Sequence, residues 1–244
     1  MKFDIITIFP DIFSAKGGSY LNESILKRAR AKKLIQIKIH NLRDFAVGSR
    51  LMQTERGLTQ KNGYRKVDDK PYGGGPGMVL KLEPLVKAVS SLKSKVKSQR
   101  SKVIIFTPAG KQFDNKIAGQ LAKNYNNLIL ICGRYEGIDA RLMPVLKTLK
   151  LSTLELSVGP YVLTGGELAS MVLIDAVSRQ IPGVLGKEES LEEKRFGIGA
   201  PAYTRPETFV YGNKKYKVPK VLLSGNHKKI EDWRRKKSLE ILTS

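Results

Sequence analysis

Apolar residues along this chain alternate between short continuous runs and helical spacing. Lys2–Ile8 (KFDIITI) is short, β-branched and stopped by Pro10, which predicts a buried strand. Ile35–His40 (IQIKIH) alternates apolar with polar residues and predicts a second strand. Between them, Asn22–Lys33 sets Ile25 and Ala29 against a Lys/Arg-rich face, as a short amphipathic helix would. Leu82, Leu85, Val89, Leu92 and Val96 mark another helical face, with Pro84 near its start, where a missing N–H costs nothing. Val103–Phe106, Leu128–Ile131 and Leu151–Leu156 read as further strands, with short helices around Ile117–Lys123 and Ala140–Lys147. Gly166–Gln180 is apolar over much of its circumference and predicts a buried helix. Strands alternating with helices imply an α/β fold with a mainly parallel sheet, covered by helices on both faces.

Two stretches break this rhythm. Arg43 to Gly77 shows no sustained period and ends in Pro71-Tyr-Gly-Gly-Gly-Pro-Gly77, so it reads as a long loop, a kind that in compact domains is usually functional or mobile. Ile181–Pro206 is rich in Gly, Pro and Glu and reads as a linker. Beyond it, Asn226 can cap a helix through Leu242 with Ile230, Trp233, Leu239 and Ile241 as its apolar positions. The expected organisation is a domain over residues 1–180, a linker over 181–206 and a small basic helical unit over 207–244, too small to bury a core of its own.

Charge narrows the partners. Across 244 residues, 44 Lys and Arg face 22 Asp and Glu, a formal charge of +22 that attracts polyanions. The excess falls in three stretches, Lys27–Lys70, Lys93–Lys102 and Lys214–Lys237, which could form a track along a nucleic acid. A single cysteine, Cys132, excludes a disulfide framework and a Cys-rich zinc site. Apolar runs such as Leu128–Ile131 are far shorter than the roughly 18 residues of a membrane span. Asp4 lies where a signal peptide would be apolar, so a soluble, cytoplasmic protein is expected.

The candidate chemistry lies in glycine-bearing turns. Gly73–Met78 lacks the Gly-Lys-Ser/Thr of a phosphate loop, and Met78 breaks a dinucleotide fingerprint. Three other turns follow apolar strands: Thr107–Gly110, Cys132–Gly137 and Ser157–Gly166. In a parallel sheet they converge beyond the carboxyl ends of the strands, where ligands bind. A socket of backbone groups and apolar side chains suits a neutral or cationic adenosyl ligand better than a polyphosphate. Arg134 and Glu136 share one turn and could steady an oxyanion and accept a proton, or form a structural ion pair. Arg179 closes the apolar helix, where a cation suits the carboxyl end and could also face a substrate. His40 and His227 have no metal-ligand spacing, so no metal site is expected from the residues.

Six motifs occur in order: Pro71-Tyr-Gly-Gly-Gly-Pro-Gly-Met78, Cys132-Gly-Arg-Tyr-Glu-Gly-Ile-Asp139, Tyr161-Val-Leu-Thr-Gly-Gly-Glu-Leu168, Ile174–Gly186, Tyr203-Thr-Arg-Pro-Glu207 and Ser224-Gly-Asn-His227. With them the chain closely resembles the bacterial tRNA (guanine-N1)-methyltransferases, the TrmD family, over nearly its whole length. The resemblance implies a SPOUT-type α/β domain with a deep trefoil knot, a homodimer, and S-adenosyl-L-methionine as methyl donor. It implies methylation of guanine N1 at tRNA position 37, beside the anticodon, with Mg²⁺ as a further requirement.

Carried over by motif, the donor contacts would be Ile105, Phe106 and Pro108 on the first turn. Gly133 and Tyr135 follow on the second, and Val158, Gly159, Pro160, Tyr161, Val162, Leu163, Gly165 and Gly166 on the third. Gly75, Pro76, Gly77, Tyr203, Arg205, Ser224 and His227 would touch the tRNA. Glu136 would hold the guanine or the donor's charge, with Arg134 in the same turn, and Arg179 would stabilise O6 as N1 loses its proton. The chain departs from the family in its linker. There Ser190–Phe196 sets Lys194 where the acidic proton acceptor is expected, leaving Glu192 or Glu193, of which Glu193 is chosen. Pro160 replaces a frequent Asp, and Gly48–Lys66 looks like a basic insertion. The alternative that Lys194 leaves open is a catalytically silent or retargeted RNA-binding relative.

Overall fold

The computed structural model describes residues 1–14, 18–46, 65–95, 100–186 and 199–242, in two compact units, Met1–Val184 and Leu185–Ser244. The basic segment 48–66 lies almost wholly, and the linker residues Glu192, Glu193 and Lys194 entirely, outside the described residues.

The larger unit is built on a five-stranded sheet: β1 (Lys2–Thr7), β2 (Gln36–Asn41), β5 (Ser101–Gln112), β6 (Asn127–Ile131) and β7 (Thr153–Ser157). The spatial order is β2-β1-β6-β5-β7, and every pairing is parallel. Two-residue strands β3 (Asp68–Asp69) and β4 (Val79–Leu80) pair antiparallel around the glycine loop, β3 inside the stretch expected to be irregular and β4 just past its end.

Strand alternation divides the core in two, because successive side chains point to opposite faces. Phe3, Ile5, Ile104, Leu128 and Leu130 pack with helices α1 (Ser24–Ala31), α3 (Asn115–Asn124) and α5 (Gly166–Arg179). Ile6, Val103, Ile105, Ile129 and Ile131 pack on the other side with α2 (Leu82–Lys95) and α4 (Leu142–Thr148). Each such fully buried Leu or Ile contributes about 1.5–3 kcal/mol, enough to make the sheet a rigid base for the loops at its rim. Asp4, buried on β1, accepts hydrogen bonds from Lys2 Nζ at 2.5 Å and His40 Nε2 at 2.8 Å.

Two expectations need correction. Helix α5 is not buried all round: Leu168 and Val172, one turn apart, are exposed, because α5 packs on the sheet along one side only. The smaller unit is not wholly helical. Strands β8 (Thr208–Tyr211) and β9 (Lys214–Lys217) form a hairpin, followed by helices Lys220–Leu223 and His227–Leu242. Gly212 and Asn213 make its two-residue turn, with Gly212 at φ 58°, a combination that favours a hairpin between β-forming residues. Asn226 caps the last helix as its sequence implies, accepting from Lys229 N at 3.1 Å.

Candidate functional site

Beyond the carboxyl ends of β5, β6 and β7 lies a cavity of about 500 Å³. Ile105, Phe106, Thr107 and Pro108 form one wall, Gly133 to Ile138 a second, and Ser157, Val158 and Tyr161 to Gly166 a third. The first turn interrupts β5, whose pairing with β7 shifts between Phe106 and Lys111 so that Leu156 faces both. This volume lies within the range of small-molecule and cofactor sites.

Turns two and three are fastened together. Gly166 N donates to Gly133 O at 2.9 Å, and Arg134 and Gly165 form an isolated antiparallel bridge. A Cβ on Gly166 would sit 2.8 Å from Cys132 Cα, so only glycine permits this approach of helix to strand end. Beside it, Arg134 Nε donates to Glu167 Oε2 at 2.9 Å and an Arg134 terminal nitrogen donates to Thr164 O at 3.3 Å. The guanidinium also stacks over Phe9, 4.7 Å from the ring centre. Glu167, 2% exposed, accepts on its other oxygen from Thr7 Oγ1 at 2.7 Å, tying the third turn to β1. The ion pair is therefore Arg134–Glu167, and Glu136 of the same turn is left facing the cavity.

The glycine loop reaches the same place. Gly73, Gly74, Gly75 and Gly77 all have φ between 80° and 105°. At Gly77 a Cβ would meet Glu136 Oε1 at 2.5 Å, so the loop lies directly against that carboxylate. Glu136 N donates to Met78 O at 3.0 Å and Leu80 N to Gly137 O at 3.0 Å, which lock the loop's end to the second turn. Charged side chains lining the cavity are Arg134, offset by buried Glu167, and the carboxylates of Glu136 and Glu155. Such a wall accommodates a cationic nucleoside and disfavours a polyphosphate.

Eleven of the thirteen residues expected to contact a donor line this cavity; Gly159 and Pro160 do not. Gly159 acts indirectly, since its missing side chain makes room for the Tyr161 ring, and Ser157 Oγ donates to its carbonyl at 2.8 Å. Arg179 lies elsewhere. It ends α5, whose fourteen residues at about 1.5 Å each hold it about 20 Å from the cavity wall at Gly166. There it neighbours Tyr20 and Asp175; burial, and then the Asp175 carboxylate, push the Tyr20 hydroxyl above its ordinary value.

In the smaller unit Tyr203 is half-exposed, its ring centre 6.2 Å from that of Trp233. Arg205 and His227 are exposed. Ser224 is used locally: its hydroxyl donates to Val221 O at 2.8 Å and accepts from Asn226 N at 3.2 Å, shaping the turn between the two helices.

Sequence reasoning missed Glu167 and Glu155. Glu167 carried a signal, an acid in the first turn of a helix after Gly165-Gly166, but its partners are 33 and 160 positions away. Glu155 sits on an edge strand and gave none. Among the described residues no group of three or more His, Cys, Asp or Glu side chains could hold a metal ion, and no helix is long and apolar enough to cross a membrane.

A parallel α/β sheet with a loop-lined cavity beyond the carboxyl ends of its strands is the arrangement in which open α/β folds bind their ligands. The family described as tRNA (Guanine-1)-methyltransferase TrmD matches residues 1–243. The tRNA (guanine-N(1)-)-methyltransferase of Dictyoglomus turgidum is 46% identical over 243 residues, covering 98% of this chain and 86% of the relative. That of Geotalea uraniireducens is 47% identical over 242 residues, covering 98% and 86%. That of Clostridioides difficile is 43% identical over 244 residues, covering 99% and 94%. The chain belongs to the TrmD family of tRNA (guanine-N1)-methyltransferases, and its activity is methylation of N1 of a guanine in tRNA. A methyltransferase family implies S-adenosyl-L-methionine as the donor.

Proposed function

We propose that the cavity at the rim of β5, β6 and β7 holds S-adenosyl-L-methionine, and that the methylated base is the guanine at tRNA position 37. The observation that carries this is the cavity itself: three backbone-rich turns around about 500 Å³, with Glu136 and Glu155 on its wall and Arg134 neutralised by Glu167. Backbone groups of the Gly133, Gly165 and Gly166 turns suit the edge of an adenine ring, and the two carboxylates suit a ligand carrying a positive sulfonium and ammonium. Bound there, the sulfonium supplies an electrophilic methyl group. The deep trefoil knot of the SPOUT class, formed around these fastened turns, belongs to this reading.

Guanine N1 carries a proton at neutral pH, so a chain carboxylate must take it as N1 attacks, while O6 gains negative charge. Glu193 is assigned the proton, and Glu136, beneath the glycine loop, holds the base edge. Arg179 is assigned to O6. Ten helical residues, about 15 Å, beyond Ala169 of its own cavity, it can serve only a second copy's socket, which makes the enzyme a homodimer with sites completed across the interface. The exposed apolar stripe of Leu168 and Val172, on the same helix as Arg179, is the surface such a dimer would cover. Magnesium is given no step, since the described residues offer no cluster to hold it.

The test is methyl transfer to tRNA transcripts with guanine or adenine at position 37, read by primer extension, because a methyl on N1 blocks base pairing. The expected result is an arrest at that position only with guanine, slowed by Glu193→Gln. An arrest elsewhere would overturn the position, and unaltered turnover in Glu193→Gln would overturn the proton acceptor.

A further inference from the structure

The hairpin β8–β9 presents two different faces. Thr208 pairs with Lys217, Phe209 with Tyr216, Val210 with Lys215 and Tyr211 with Lys214. Alternation therefore puts Phe209, Tyr211 and Tyr216 on one face with Lys214, and Thr208, Val210, Lys215 and Lys217 on the other. The three rings are exposed, Tyr211 most of all at 74%. Cross-strand pairing of Phe209 with Tyr216 explains two of them, since opposed aromatics stabilise a hairpin. It does not explain Tyr211, whose opposite number is a lysine. Between Thr208 and Ile230 six lysines occur with no acid, so the surface around the rings is strongly positive.

Rings set among lysines match a single-stranded nucleic acid, whose bases offer flat faces and whose phosphates are regularly spaced. We propose that the hairpin Thr208–Lys217 is an RNA-stacking surface: Tyr211, with Phe209 and Tyr216, takes unpaired bases of the tRNA substrate, and Lys214, on the same face, holds a flanking phosphate. This rests on the tRNA methyltransferase reading and adds to it a contact made away from the reacting guanine.

The test measures tRNA binding by filter retention, methylation at saturating tRNA, and donor binding by calorimetry, on the full chain. Tyr211→Ala and Tyr211→Leu are expected to raise the Kd and KM for tRNA about tenfold, as loss of one base stack does, leaving kcat and donor affinity unchanged. Tyr211→Phe, which keeps the ring, is expected to stay within about twofold of wild type and so separates stacking from misfolding. Lys214→Gln is expected to lower the steepness of log Kd against log salt by about 0.7. An active wild type with unaltered tRNA affinity in Tyr211→Ala and Tyr211→Leu would overturn the hairpin's role alone. A wild type that binds no tRNA would overturn the underlying reading with it. Unchanged tRNA affinity with altered sedimentation would make the face a protein contact, also against the proposal.

Discussion

Arg134 on the second turn and Glu167 at the start of α5 meet at 2.9 Å, and through them two loops from different strands act as one wall. Glu167 is buried and also holds Thr7 of β1, so removing it strands a half-buried cation and an orphaned hydroxyl. Glu167→Ala is expected to cost about 3 kcal/mol in denaturant unfolding. It should also weaken donor binding at least about tenfold, an effect of 1.4 kcal/mol or more. Glu167→Gln keeps an acceptor for Thr7 and should lose less. Equal losses in the two variants would mean that the charge of Glu167, and not its bond to Thr7, carries the effect, and an unimpaired Glu167→Gln would mean that the ion pair contributes little.

Gly166 gives a purely steric test. A Cβ there meets backbone at 2.8 Å, and backbone cannot swing aside. Gly166→Ala is expected to destabilise the chain by about 1–3 kcal/mol and to reduce donor affinity in calorimetry. Gly186→Ala, with nothing within 4 Å of its Cβ and no left-handed φ, is the control and should change stability by less than about 0.5 kcal/mol.

Much of this was legible in the chain because the forces are local. The continuous apolar runs Leu128–Ile131 and Val103–Phe106 marked strands, and glycines just past their ends marked the turns that line the cavity. What stayed hidden depends on distant partners. Glu167 looks like an ordinary helix-start acid until Arg134 and Thr7 are seen beside it. Leu168 and Val172 look like core, since apolarity says nothing about which side of α5 meets the sheet. The hairpin did carry a local signal, Gly212-Asn213 between Thr208–Tyr211 and Lys214–Lys217, which the lysine content of the tail concealed.

Placement of Arg179 leads to a test by mixing. Arg179→Ala alone should bind the donor normally and lose about 100-fold or more in methyl transfer, the scale of a lost oxyanion contact. Combined, at a donor concentration too low to fill the weakened socket, with a Gly166→Ala chain, it should regain part of the activity, because a mixed dimer would hold one intact pair of socket and arginine. A mixture as inactive as its parts would mean that Arg179 acts within its own chain or not at all.

Asp4 sets a pH dependence of stability. Burial by itself would raise its carboxyl, but the hydrogen bonds from His40 and Lys2 outweigh burial and hold it below the usual carboxylate value. A carboxyl lowered on folding contributes stability that is full above its unfolded value, about 3.9, and fades as pH falls through the folded one. The stability lost in Asp4→Asn, measured by urea unfolding, should therefore shrink between about pH 5 and about pH 3. A difference constant across that range would show that Asp4 is not held ionised by its neighbours.

The account stands on the rim cavity being the donor site, and titration calorimetry with S-adenosyl-L-methionine reads this directly. One binding event per chain is expected, weakened at least about tenfold by Gly166→Ala and unaffected by Tyr211→Ala. Folded protein that gives no binding heat, or that binds equally well with Gly166 replaced, would contradict it.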